Sequence, residues 1–165
     1  MALTALPGIT CAIARTLQQL LRTDWPFVSA MERILQPDIT QGATLRGGEY
    51  GWSVSSFPNA LARAEVHGYA CLGGQFQFRL DDGTCEMYWL SADPKERAQA
   101  ESWTDYSHRS CSEVLHRFEE LASATDFGKE TSSWPSLKIN PAEHLVFVAY
   151  FVTETELSEL TEKLT

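Results

Sequence analysis

No stretch of this chain comes near the roughly 20 consecutive apolar residues that a bilayer-spanning helix requires. A helical membrane anchor is therefore not expected. Cysteine is sparse: Cys11, Cys71, Cys85 and Cys111 stand far apart with no CxxC pair. That spacing implies neither a disulfide framework nor a zinc ribbon, and the thiols read as small, reduced core residues of a cytoplasmic protein. Basic residues are in deficit, 13 Lys and Arg against 22 Asp and Glu, for a net charge of −9. Basic residues interleaved with aromatics, the footprint of a nucleic-acid surface, are absent. The opening MALTALPGITCAIARTLQQLL lacks the basic start of a secretory signal, and Pro7-Gly8 breaks its short apolar run. Two glycine pairs, in LRGGEYG and CLGGQ, lack the Lys-Ser/Thr and the strand-to-helix setting of a nucleotide cradle. No membrane, nucleic acid, cofactor or metal is expected as a partner.

What is present specifies an α+β fold, expected as one domain over all 165 residues. Over residues 75–90, Phe76, Phe78 and Leu80 alternate with Gln75, Gln77 and Arg79, and Cys85, Met87 and Trp89 alternate with Thr84, Glu86 and Tyr88. This period of two, broken at Asp81-Asp82-Gly83, predicts a β-hairpin whose glycine takes positive φ in the turn and whose apolar face includes Trp89. From about 103 to 122, Trp103, Tyr106, Ser110, Cys111, Val114, Phe118 and Leu121 form a helical stripe that should cross that face. An N-terminal helical hairpin is expected before Pro37, from Ile13, Leu17, Leu20 and Leu21 and then Val28, Met31 and Leu35.

A strand is expected from Tyr50 to Ser55, then a short helix capped by Ser56, with Leu61, Ala64 and Val66 inward and Gly68 at its C-terminal end. In the loop that follows the long helix, Phe127, Trp134 and Leu137 are expected anchors. HLVFVAYFV reads as a strand buried on both faces and hence central in a mainly antiparallel sheet. Thr153 and Glu156 make a capping box for a C-terminal helix carrying Leu157, Leu160 and Leu164.

Charge is uneven. Through residue 100 there are eight Lys and Arg against ten Asp and Glu; from Glu101 onward there are five against twelve. Such a field repels nucleic acid and anionic membranes and attracts basic partners. The candidate partner-binding residues are Asp105, Glu113, Glu119 and Glu120 on the long helix, Glu154, Glu156, Glu159 and Glu162 on the last one, and Tyr88 as an aromatic anchor.

Catalytic constellations are thinner. Cys71 near His67, ahead of Gly73-Gly74, is the best candidate for a nucleophile and base. His108 and His116 are eight residues apart, about 12 Å along a helix, too far to share one zinc ion. Cys111 lies three residues from His108 but on the inner stripe, where a thiol is ordinarily a core residue. Asp81-Asp82 is a turn pair.

The run GGQFQFRLDDGTCEMYWL, with ESWTDYSHRSCSEVLHRFEEL and TDF, resembles small acidic bacterial immunity proteins of toxin-immunity systems over about residues 68–127. FPNALARAEVHGYACLGG is also similar to the SUKH-type immunity proteins. The resemblance implies a non-enzymatic protein that binds and neutralises a cognate protein toxin with a basic active-site cleft. A small enzyme working through Cys71 and His67, or a phage or bacterial adaptor protein, is the alternative.

Overall fold

The computed structural model describes residues 35–134 and 138–164. The expected N-terminal helical hairpin, Cys11, Leu137 and the side chain of Leu164 lie outside the described residues. Among the described residues the chain folds as β1 (Ala43–Arg46), β2 (Glu49–Trp52), α1 (Phe57–Val66), β3 (Ala70–Leu80) and β4 (Gly83–Ala92). It continues as α2 (Trp103–Ala124), α3 (Phe127–Glu130), a 3-10 turn (Thr131–Ser133), α4 (Pro141–His144), β5 (Leu145–Val152) and α5 (Glu154–Leu164). The five strands form one antiparallel sheet in the order β1-β2-β5-β3-β4, which gives the α+β class. No described helix is long and apolar enough to cross a membrane.

β5 fills the middle, pairing with β2 through Gly51 and Trp52 and with β3 along most of its length. Its Val- and Phe-rich sequence suits a strand with a neighbour on each side and packing above and below. On one face of the sheet Phe76, Phe78, Met87, Phe147 and Trp52 are buried against Phe57 and Leu61 of α1 and Val114 and Phe118 of α2. Four rings meet at the centre: Phe57 lies 4.6 Å from Phe147 and 4.8 Å from Phe118, and Phe76 lies 5.0 Å from Phe147 and 5.4 Å from Phe118 between centroids. The Phe76–Phe118 pair is stacked and the others are tilted or edge-on, contacts that add to the area each ring removes from water.

The long helix begins where its sequence calls for it. Ser102 accepts a hydrogen bond from the Asp105 amide at 3.1 Å, and Tyr106, Ser110, Cys111, Val114, Phe118 and Leu121 are all buried. Ser107 is buried as well, its hydroxyl donating to the Tyr69 carbonyl at 2.6 Å. α5 opens with the expected box, the Thr153 amide donating to Glu156 Oε2 at 2.7 Å. Leu157 and Leu160 pack on Ala70, Val152 and Tyr106. α1 ends in a Schellman motif: Tyr69 N–H donates to Ala64 O, Gly68 N–H donates to Glu65 O, and Gly68 takes φ +76°.

Five expectations need correction. Trp89 does not share the buried face with Met87. Pairing jumps from Phe76–Met87 to Gln75–Ser91, so Tyr88, Trp89 and Leu90 loop out of the ladder and the alternation breaks. Trp89 is 54% exposed, while Leu90 is buried. Gly83 does not supply a positive φ; it pairs with Leu80, and Asp81 and Asp82 form the two-residue turn with ordinary φ. The guanidinium of Arg46 holds that turn, donating to the carbonyls of Leu80, Asp81 and Gly83.

The remaining three lie around α1. Its preceding strand ends at Trp52 rather than Ser55, because Ser53–Ser56 turns back on the Ser53 carbonyl. Ser56 stands at the cap position, but its hydroxyl makes no capping bond and donates to Ser53 O at 3.3 Å. Val66 is 85% exposed, one residue too late on the helix to face inward.

β1 has no counterpart in the sequence reading. It forms a hairpin with β2 through Gly47 and Gly48, both at positive φ, the conformation a two-residue turn between twisted strands requires. Arg79 reaches from β3 to this hairpin, donating to Thr44 O at 2.6 Å, Thr44 Oγ1 at 2.9 Å and Glu49 O at 3.0 Å.

Candidate partner-binding surface

The acidic candidates fall on the outer sides of α2 and α5, but most are engaged within the chain. Asp105 belongs to the cap of α2, with its Oδ2 accepting from Ser102 Oγ at 2.6 Å. Glu113 accepts from Arg109 at 3.1 Å and from the Lys95 amide at 2.8 Å. Glu120 meets His116 at 3.3 Å and Arg117 at 3.2 Å, and Glu154 meets Arg97 at 2.8 Å. Glu156 is spent on the Thr153 amide. Glu162 is exposed and has its own interaction. Glu119 and Glu159 are exposed, with no ion pair among the described residues. Arginines therefore run through the acidic surface, and the field it presents is patterned rather than uniform.

The strongest of these contacts was not foreseen. Arg109 donates to both oxygens of Glu101, at 2.7 and 2.8 Å, and also to Glu113 and the carbonyls of Lys95 and Glu96. Its guanidinium holds the Glu101 carboxyl down at about 2. Arg97 lies over the Trp103 ring at 5.4 Å, and Arg109 lies over Tyr106 at the same distance. These contacts fasten the 93–102 connection to α2. Arg109–Glu113 has the i,i+4 spacing of a helix pair, but Glu101 and the Lys95 and Glu96 carbonyls lie in the preceding connection, where no helical period reaches.

Tyr88 is 41% exposed beside Trp89 on β4, an edge strand of the sheet. Trp89 is held rather than loose. Its ring stacks on Trp134 with centroids 6.2 Å apart and planes 21° apart, and its indole N–H donates to Glu130 Oε2 at 3.1 Å. Trp134 in turn stands edge-on to Phe78 at 6.2 Å, which realises the anchoring expected of it. Phe127 is anchored on Phe76, tilted, with centroids 5.0 Å apart.

The candidate thiols lie inside the core. Cys71 is fully buried, burial pushes its thiol well above the ordinary range, and its Sγ contacts the Gly73 carbonyl at 3.9 Å. His67 turns to Asp38 at 2.9 Å on the surface. Cys111, buried beside the Tyr69 carbonyl, is raised to about 11, again chiefly by burial. Cys85 is only partly buried and is also shifted upward. A protonated, enclosed thiol is a poor nucleophile. His108 is exposed and bound to Glu65 at 2.7 Å, and His116 pairs with Glu120, so the two histidines serve different carboxylates. No group of His, Cys, Asp and Glu suited to hold a metal occurs among the described residues.

Comparison with known proteins adds no assignment to this surface: no family model, no curated protein and no solved structure matches the chain.

Proposed function

We propose that this chain is a non-enzymatic protein-binding domain of the immunity type, which binds a cognate bacterial toxin and occludes a basic active-site cleft. The observation that carries the reading is the exposed acidic face of α2 and α5, where Glu119 and Glu159 stand without ion pairs among the described residues. The excess of seven acids from Glu101 onward lies behind them. A field of this sign speeds encounter with a basic cleft and discourages nucleic acid from competing. The buried thiols of Cys71 and Cys111 support binding over turnover, since neither offers a thiolate at neutral pH.

The test is capture of the full chain from its native cytoplasm with mass spectrometry of what it retains. Association kinetics are then measured with the captured toxin and with the product of any adjacent toxin-domain reading frame. Combined reversal of Glu154, Glu159 and Glu162 to Lys is expected to slow association by about tenfold at low salt and to flatten its salt dependence. An unchanged on-rate and salt slope would mean that the wrong surface has been chosen. Turnover of a small molecule that disappears in Cys71→Ala would overturn the reading altogether.

A further inference from the structure

We propose that the outer edge of β4 is a docking strand for an extended, basic segment of the protein partner, with Trp89 receiving a cationic side chain at one end. This rests on the protein-binding reading above and specifies how the partner is gripped.

The two edges of the sheet are built differently. β1 is four residues long and closes with Arg46, the short and charged form in which natural proteins present an edge. β4 is ten residues long, and its first five, Gly83–Met87, pair regularly with Phe76–Leu80 and, among the described residues, with no strand on the other side. No Lys, Arg or Pro occurs from Leu80 to Asp93, and the bulge at Tyr88–Leu90 lies beyond Gly83–Met87, so over those five residues the edge carries neither a basic side chain, a proline nor a bulge. An added strand gains main-chain hydrogen bonds, and side-chain sites beside it set its preference.

Those side-chain sites select positive charge. Asp81 and Asp82 are exposed at the hairpin turn, and Glu130 sits at 3.1 Å from the Trp89 indole nitrogen. Trp89 is fixed by its stack on Trp134, which leaves it about half exposed without leaving it mobile. A held indole beside a carboxylate suits a Lys or Arg side chain, through the ring face and the charge together. A second copy of this chain fits poorly, because two chains of net charge −9 repel and neither brings a basic side chain to the pairing between Leu80 and Asp93.

The experiment uses the full chain and three blocked nonapeptides: alternating Lys and Val, alternating Glu and Val, and the Lys-Val peptide with its central Val replaced by Pro. Binding is followed by tryptophan fluorescence, and location by residue-resolved amide hydrogen exchange. The Lys-Val peptide is expected to bind saturably with Kd below about 1 mM and to slow exchange at β4 but not at β1. The Glu-Val and Pro peptides are expected to bind at least about tenfold more weakly. Trp89→Ala should cost about tenfold, and Trp89→Phe should recover most of it.

Equal binding by the Pro peptide, protection at β1 or on α2 instead, or no saturable binding would overturn the proposal. So would β4 protection that appears without peptide as the chain dimerises. If the peptide arm fails while a captured toxin still shows the charge-dependent on-rate, only the docking strand is lost. If no protein partner is found at all, the broader reading falls with it.

Discussion

Replacing Gly74 by Ala should be among the most damaging single changes available to this chain. Gly74 sits where β3 resumes its pairing with β5 after the irregular stretch that follows Cys71. A Cβ there would stand 2.2 Å from the Val148 carbonyl oxygen, 2.6 Å from the Phe147 ring and 3.0 Å from the Ala149 Cα. A carbon and a carbonyl oxygen need about 1 Å more than this, and the obstacle is backbone of the central strand, which cannot swing aside as a side chain can. Separating β3 from β5 locally forfeits about two ladder hydrogen bonds at roughly 1 kcal/mol each, with roughly 1–3 kcal/mol of packing strain added. The expected loss is about 3–5 kcal/mol.

Gly51→Ala provides the internal control. Its Cβ would meet the Arg79 Cζ at 2.9 Å and a Val146 methyl at 3.0 Å, both parts of side chains. Its cost should be about 1–2 kcal/mol, the lower part of the overpacking range. Urea unfolding of the two variants and the parent measures the difference. With m in the range of about 1–3 kcal/mol/M, Gly74→Ala should lower the midpoint by about 1 M or more. A midpoint within about 0.3 M of the parent would refute the reasoning, as would a larger loss in Gly51→Ala than in Gly74→Ala.

Three further outcomes are expected. His108 is held above the ordinary imidazole range, first by its hydrogen bond to Glu65 and then by the charge of that carboxylate. The pair therefore stabilises the fold below about pH 6.5 and loses that contribution as pH rises through the raised folded value. A proton NMR titration should place His108 above 6.5 in the parent and lower it in Glu65→Gln; an unshifted His108 would contradict the contact. Glu101 behaves oppositely: its carboxyl is depressed to about 2 by Arg109, so its contribution is complete above about pH 4.5 and vanishes as pH falls through 2. Glu101→Gln should flatten the acid limb of a stability profile between those limits, and an unaltered limb would count against the Arg109 clamp. Finally, a thiol reagent should label Cys85 well before Cys71 and Cys111 in the native protein, since of these three only Cys85 is partly open. Equal rates would mean that the core opens more readily than its packing implies.

The sequence is most legible where a residue's fate is decided within a few positions of it. The stripe of α2, the Thr153–Glu156 box, the helix-ending Gly68 and the central place of LVFVAYFV all rest on local periodicity or on a single capping geometry. Trp89 was misplaced because a bulge of three residues resets the alternation, and that reset depends on β3, more than ten residues earlier in the chain. β1 was missed although Gly47-Gly48 is a strong turn signal, because four residues are too few to display a period. The acidic candidates were read correctly as lying on helix exteriors. Their pairing stayed hidden for two reasons: Arg97–Glu154 joins a loop to a helix and leaves no regular spacing, whereas Arg109–Glu113 and Arg117–Glu120 stand at i,i+4 and i,i+3 and were legible but not drawn.

The placement of β5 has a consequence during synthesis. The strand that joins the two hairpins is encoded at residues 145–152, so the ribosome finishes both flanking pieces before their shared neighbour exists. Until then β2 and β3 line an empty slot one strand wide, floored by aromatic rings. A nascent chain that has not reached residue 152 keeps that slot open to solvent, to chaperones and to proteases, and only synthesis of β5 can fill it.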